Sequence, residues 1–315
     1  MNETASAGRP YQPPDEIPAS HRDLARCPPV AALTTVTSGG YPQTSVVWCD
    51  FDGQCVRVNT MRGFAKERNM RRNPRVTLLC YDPHQPLRYL EVRGMVADMT
   101  EAGAANHLDS LASQYAGRPV RFFGDAIPAS FARTETPVLC RIRLVHVVAL
   151  DATGPTWRDA KEARHMTDPP GSQTLPVPAS HLDLLARPVC GVFTTMSHDG
   201  QPQSTLVWVD LDRGCALVNT TLERQKGRNL RNNQKVSLLI VDPGNTSRFI
   251  QIRGDAELVT KDAHEHIDAL TRKYTSQPAY YGYICPEAQR LRETRVICRI
   301  HPRRVTLDAI HIADH

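Results

Sequence analysis

Two short runs carry the residue types that could do chemistry. One reads NTMRGFAKERN, Asn59 to Asn69, and the other NTTLERQKGRN, Asn219 to Asn229. Each follows an apolar, β-branched stretch (VRVNT, ALVNT) and reads as a strand end, a short turn and a helix. Lys66 and Arg68 fall at the start of the first helix, and Arg224, Lys226 and Arg228 at the start of the second. A helix N-terminus carries partial positive charge and free N–H groups, so it favours Asp or Glu. Cations placed there are unfavourable unless an anion joins them. A phosphate would do so, taking the free N–H groups and charge-assisted bonds from the lysine and arginine. Asn59 and Thr60, with Asn219 and Thr220, would add short polar donors, and Asn69 and Asn229 complete the two K-x-R-N runs. The competing reading is a solvated helix face whose cations serve solubility.

Other candidates are weaker. Gln43 and Gln203 either bond the polar edge of a ring or point outward as ordinary strand residues. Trp48 and Trp208 sit at matching strand positions; packing is the first expectation and stacking on a cofactor ring the second. Tyr115 and Tyr274 share a helix end, with core packing as the default. The histidine pairs His21/His181 and His107/His266 recur on helices, but no His/Cys/Asp spacing makes a metal site. No Ser-His-Asp set or carboxylate pair can be argued, so no catalytic residue is assigned. A cofactor that supplies the chemistry itself would make such a residue unnecessary.

The elements that must position these residues come in two copies. With a constant offset of 160, residues 17–95 align to 177–255 without a gap, and 33 of those 79 pairs are identical. IPASH meets VPASH, Pro42-Gln43 meets Pro202-Gln203, and Arg93-Gly94 meets Arg253-Gly254. Small deletions then shift the register, yet HLDSLASQY still meets HIDALTRKY and VLCRI meets VICRI. Copies this long are domains, not solenoid repeats. We expect a loose arm over 1–16, a first domain over 17–151, a Pro- and Gly-rich linker over 152–176 and a second domain over 177–315.

Within each copy a short helix with a Ser cap is expected at ASHRDLAR or ASHLDLLA. Hairpin-linked strands, the basic helix, further strands, another helix and a last long strand follow. About six strands per copy, bunched around local turns, predict an antiparallel barrel.

Hydrophobic residues make up 41% and charged residues 23%, enough for a core. The net charge of +5 suits an anionic ligand but is too dispersed for nucleic acid. No apolar run approaches the ~20 residues of a membrane span. The N-terminus lacks the basic-then-apolar order of a signal peptide. Nine cysteines, an odd count without a C-x-x-C pair, read as reduced buried thiols. These features together predict a cytoplasmic protein.

Each copy resembles the split β-barrel flavin- and deazaflavin-binding family, the relatives of pyridoxamine 5′-phosphate oxidase. The matching pieces are G-x-P-x-x-x-x-V-W (Gly40 to Trp48, Gly200 to Trp208), N-T followed by K-x-R-N, R-N-P-R-V at Arg72–Val76, and the Arg93-Gly94 strand. The branch it is most similar to is the B-type group, whose members use coenzyme F420, FMN or haem.

The resemblance implies a mainly β fold of two tandem split barrels, packed as an intramolecular pseudo-dimer with cofactor sites between them. It implies that the cofactor phosphate meets the basic helix and that its ring lies against the neighbouring strands. It further implies an F420-dependent reductase that passes a hydride to an activated C=C bond of a small organic substrate, natural-product pathways such as tetracycline biosynthesis included. The alternatives are an FMN-dependent oxidase or reductase and a non-catalytic flavin- or haem-binding protein. The chain departs from the family by holding two protomer-like units, so a monomer is expected to act as the dimer.

Overall fold

A computed structural model describes residues 16–152 and 177–308. The expected arm and linker lie outside these residues, apart from 16 and 152 at their margins.

The first copy builds one antiparallel sheet of seven strands: β1 (Val30–Val36), β2 (Pro42–Val47), β3 (Cys49–Phe51), β4 (Cys55–Met61), β5 (Arg75–Tyr81), β6 (Arg88–Thr100) and β7 (Pro137–Asp151). Their order is β2-β1-β5-β6-β7-β4-β3. The edge strands β2 and β3 are separated in sequence by Trp48 alone. The chain therefore passes from one edge of the sheet to the other through a single residue, and the sheet curls into a barrel. The β-branched stretch QTSVVWCDF, taken as a single strand, accounts for the expected six per copy. The seventh arises at Trp48, because Val47 still pairs with Ala31 whereas Cys49 already pairs with Val58.

The second copy repeats the plan: β8 (Gly191–Met196), β9 (Pro202–Val207), β10 (Val209–Asp212), β11 (Cys215–Thr221), β12 (Lys235–Asp242), β13 (Asn245–Val259) and β14 (Arg295–Leu307), in the order β10-β11-β14-β13-β12-β8-β9. The helices are α1 (Arg22–Arg26), α2 (Ala65–Arg72), α3 (Ala104–Ala116), α4 (Leu182–Ala186), α5 (Gln225–Asn232) and α6 (Ala263–Tyr274).

Period-two patterning explains both cores and the contact between them. Ala31 and Leu33 of β1 face their own barrel with Val56, Val58, Leu78 and Ile142. Val30 and Ala32, on the other face, join Leu79 and Tyr81 against Val192, Leu239, Val241 and Phe249 of the second barrel. A strand buried on both faces reads as an unbroken apolar run, and VAAL is such a run. The two barrels are thus packed as a pseudo-dimer within one chain. Thr34, Thr44, Thr194 and Ser204 form a buried hydroxyl cluster at its centre.

The expected Ser caps do not form. Ser20 and Ser180 instead pair with His21 and His181 Nδ1 at 2.9 Å. The far nitrogens of these buried histidines reach the Leu150 carbonyl and the Asp308 carboxylate, tying each opening helix to the end of its barrel. All nine cysteines are free thiols, six of them buried. Among the described residues, no group of His, Cys, Asp and Glu could hold a metal, and no helix is long and apolar enough to cross a membrane.

Candidate anion and cofactor sites

α2 and α5 both begin without a side-chain cap, behind Phe64 and Arg224, so their first N–H groups have no side-chain acceptor. Lys66 and Lys226 stand in these first turns and are half-buried. Neither ammonium has a carboxylate partner among the described residues; Lys66 lies 5.9 Å from the Phe64 ring centroid. Burial lowers the pKa of Lys66. Lys226 is lowered to about 8 by burial first and the Arg224 charge second, with Arg295 adding to the effect.

Each barrel also holds orphaned hydroxyls. Thr60 Oγ1 and Thr220 Oγ1 are buried without a hydrogen-bond partner, as are Ser45 Oγ on β2 and Thr205 Oγ1 on β9. All four occur as equivalents, 160 residues apart. Unpaired ammonium groups with spare buried hydroxyls fit a phosphate-bearing group, and an isolated buried cation is otherwise unfavourable.

The structure gives the other predicted residues specific partners. Asn69 and Asn229 are buried struts: each amide donates to Thr35 or Thr195 Oγ1, and to Gln43 or Gln203 Oε1, near 3.0 Å. The basic helix is thereby pinned to the first two strands of its barrel, and each glutamine keeps its amide nitrogen for other contacts. Asn59 and Asn219 donate to the Ala104 and Ala263 carbonyls and to His107 and His266, and Asn219 also accepts from Arg295 at 3.3 Å. Arg68 and Arg228 fold back onto the carbonyls of Gly63 and Glu223. Trp48 stacks on Tyr115 at 5.3 Å and Trp208 on Tyr274 at 5.4 Å, so packing engages at least one face of each indole.

The two sites differ in charge. In the second barrel Lys226 is joined by Arg224 and by Arg295, which is 3% exposed and carries its guanidinium 4.4 Å from the Tyr280 ring centroid. Glu293 balances one of these cations, at 3.2 Å from Arg295 and 4.0 Å from Arg224. The equivalent positions in the first barrel are Lys66, Phe64, Pro137 and Glu135. Counting each barrel's own residues, three cations and one carboxylate thus stand against one cation and one carboxylate. α2 also carries Glu67 in its first turn, whereas α5 has no acid there. Glu91 of the first barrel, 2% exposed, accepts from Ser204 N at 2.8 Å and influences Lys226 across the interface. Sequence reasoning passed over Arg295, Glu293 and Glu91. The only signal was divergence between copies, Arg against Pro at one position and Glu against Gln at another.

A family model described as pyridoxamine 5′-phosphate oxidase matches residues 17–136 and again 177–307. The chain belongs to the pyridoxamine 5′-phosphate oxidase family. This is a flavin-binding split-barrel family of oxidoreductases, and the tandem match assigns one family domain to each barrel. A search of the curated proteins finds no match. Among solved structures, the chain is similar to an F420 reductase at 27% identity, covering 41% of this chain and 98% of that one with a TM-score of 0.36. It is similar to a conserved hypothetical protein from Mycobacterium tuberculosis at 26%, covering 40% and 84% with a TM-score of 0.32. It is also similar to a putative pyridoxamine 5′-phosphate oxidase from Listeria innocua at 22%, covering 38% and 86% with a TM-score of 0.28.

Proposed function

We propose that this family member is an F420H2-dependent reductase acting on an electron-poor C=C or similar bond of a small organic substrate, of the kind reduced in natural-product pathways. The observation that carries the reading is the pair of half-buried lysines at uncapped helix starts, each without a carboxylate partner among the described residues, in barrels that also hold orphaned buried hydroxyls. Lys66 with Thr60, and Lys226 with Arg224 and Thr220, would hold the cofactor phosphate. Gln43 and Gln203 would turn their free amide nitrogens to the ring edge, and each barrel would close the site of the other. The bound deazaflavin would supply the hydride; the protein binds, orients and excludes water. The excess of cations favours the cofactor with an anionic glutamate tail over FMN.

Fluorescence titration with F420 and with FMN, fitting stoichiometry and affinity, tests the proposal. Tight F420 binding with weak FMN binding, followed by substrate-dependent reoxidation of the bound reduced cofactor, is the expected result. Preference for FMN would replace the deazaflavin reading with a flavoenzyme.

A further inference from the structure

The second barrel carries an arginine arrangement that its fold disfavours. Arg253 on β13 stands directly opposite Arg304 on β14 in the antiparallel ladder. Like charges at such positions destabilise a sheet. Arg253 is half-buried, and neither guanidinium has a carboxylate partner among the described residues. Both line a cleft of about 470 Å³ between the barrels, closed on the far side by Thr37, Ser38 and Tyr41 of the first.

The surroundings strengthen the positive field. Arg303, also in the cleft, is held by Asp255 at 2.7 Å, and Asp255 accepts from the Tyr41 hydroxyl at 2.9 Å. The ammonium of Lys235 lies 5.0 Å from the Tyr41 ring centroid. Three arginines therefore line the cleft, and Asp255 holds one of them.

The mirrored place in the first barrel has been neutralised. Arg93 there stands opposite His146 and is held by Glu91 at 3.0 Å, where the second barrel has Gln251. Val145 replaces Arg303, and Gln201 replaces Tyr41 and sends its amide into the Val76 carbonyl at 2.7 Å. The barrel fold does not need the arginine pair, since the other copy does without it.

We propose that this cleft is a binding site for a small multiply charged anion, a di- or tricarboxylate or a phosphate, distinct from the Lys66 and Lys226 sites. An anion between the two guanidiniums would replace their repulsion with two charge-assisted, forked contacts. The lining of the cleft includes none of the residues assigned to the Lys66 and Lys226 sites. Among the described residues, this opposed arginine pair occurs in the second barrel and not in the first.

Calorimetric titration of the full chain with citrate and with pyrophosphate, at about 0.05 M salt to limit screening, tests it. One equivalent should bind, and Arg253→Gln with Arg304→Gln should weaken binding about tenfold or more. Lys66→Ala with Lys226→Ala should leave citrate binding unchanged. The single variant Arg253→Gln should melt no lower than the parent without ligand, because it removes repulsion, which separates lost binding from lost folding. Absence of citrate and pyrophosphate binding in the parent, or equal affinity in the arginine double variant, would overturn the site. Titrating F420 and FMN into that variant identifies the source of the anion. Loss for F420 alone assigns the cleft to the glutamate tail; loss for neither assigns it to a separate ligand. Equal loss for both would overturn its independence from the phosphate sites.

Discussion

Thr34 Oγ1 lies 3.3 Å from Thr194 Oγ1, the equivalent atom of the other copy 160 residues along the chain. A residue can meet its own equivalent only at a twofold axis. The neighbours obey the same symmetry: Thr34 bonds Thr44 at 2.9 Å and Thr194 bonds Ser204 at 2.8 Å. The four hydroxyls satisfy one another where water is excluded, and a row of apolar side chains from both barrels packs beside them.

Replacing Thr34 by Val keeps the shape and removes one member of that cluster. Leaving its buried partners short of a bond should cost roughly 1–3 kcal/mol. Thr34→Val with Thr194→Val should cost less than the two singles combined, since residues in one network couple. Urea unfolding of the three variants checks both statements, and independent, additive losses would argue against a shared axis.

Because the chain supplies both halves of the pseudo-dimer, it should bind cofactor as a monomer of 35.1 kDa. Sedimentation of the cofactor-loaded protein reads this directly. An obligate dimer of chains holding cofactor only between them would contradict it.

The charge difference between the two sites has a consequence for affinity. Lys226→Ala removes a cation from a site already rich in them, and should weaken phosphate-bearing cofactors about ten- to hundredfold, the worth of a charge-assisted bond. Lys66→Ala removes the single cation of the first site. In a titration of the parent protein we expect two unequal steps, the tighter lost in the Lys226 variant. Unchanged affinity in both singles and in the double variant would remove the phosphate clamp.

Lys226 also sets a pH dependence. Its folded value of about 8 lies below the ordinary 10.5, so between these limits the unfolded chain holds a proton that the folded chain has released. Stability should therefore rise with pH across that window and gain nothing further above it. Phosphate binding needs the ammonium form, so affinity should fall as pH rises through about 8. Lys226→Met should flatten both slopes; denaturation and titration series from pH 7 to about 10.5 measure them.

Gly254 sits at a bulge where β14 comes close, and a Cβ there would fall 2.0 Å from the His301 carbonyl oxygen. Gly254→Ala should cost on the order of 3 kcal/mol, read as a lowered urea midpoint. An unchanged midpoint would mean that the strands part freely at this point.

The duplication, the barrel class and the basic helices were legible in the sequence. They depend on local pattern: two-residue alternation in VRVNT, β-branched runs between glycine turns, and cations at a helix start in both copies. The unbroken VAAL run already carried the buried interface, because a strand covered on both faces cannot alternate. What the sequence could not assign was the partner of each polar side chain. Asn59 and Thr60 are neighbours in one motif, yet strand alternation turns Asn59 outward to α3 and leaves Thr60 buried in the barrel. Asn69 follows the cations but serves as a strut, a role fixed only when β1 and β2 fold beneath the helix. The inequality of the two sites was likewise a tertiary outcome. Arg295 and Glu91 lie far in sequence from the Asn219–Asn229 run, and only chain crossings in the folded barrels bring their charges to Lys226. Charge acts through space, so the residues that tune a site need not be near it along the chain.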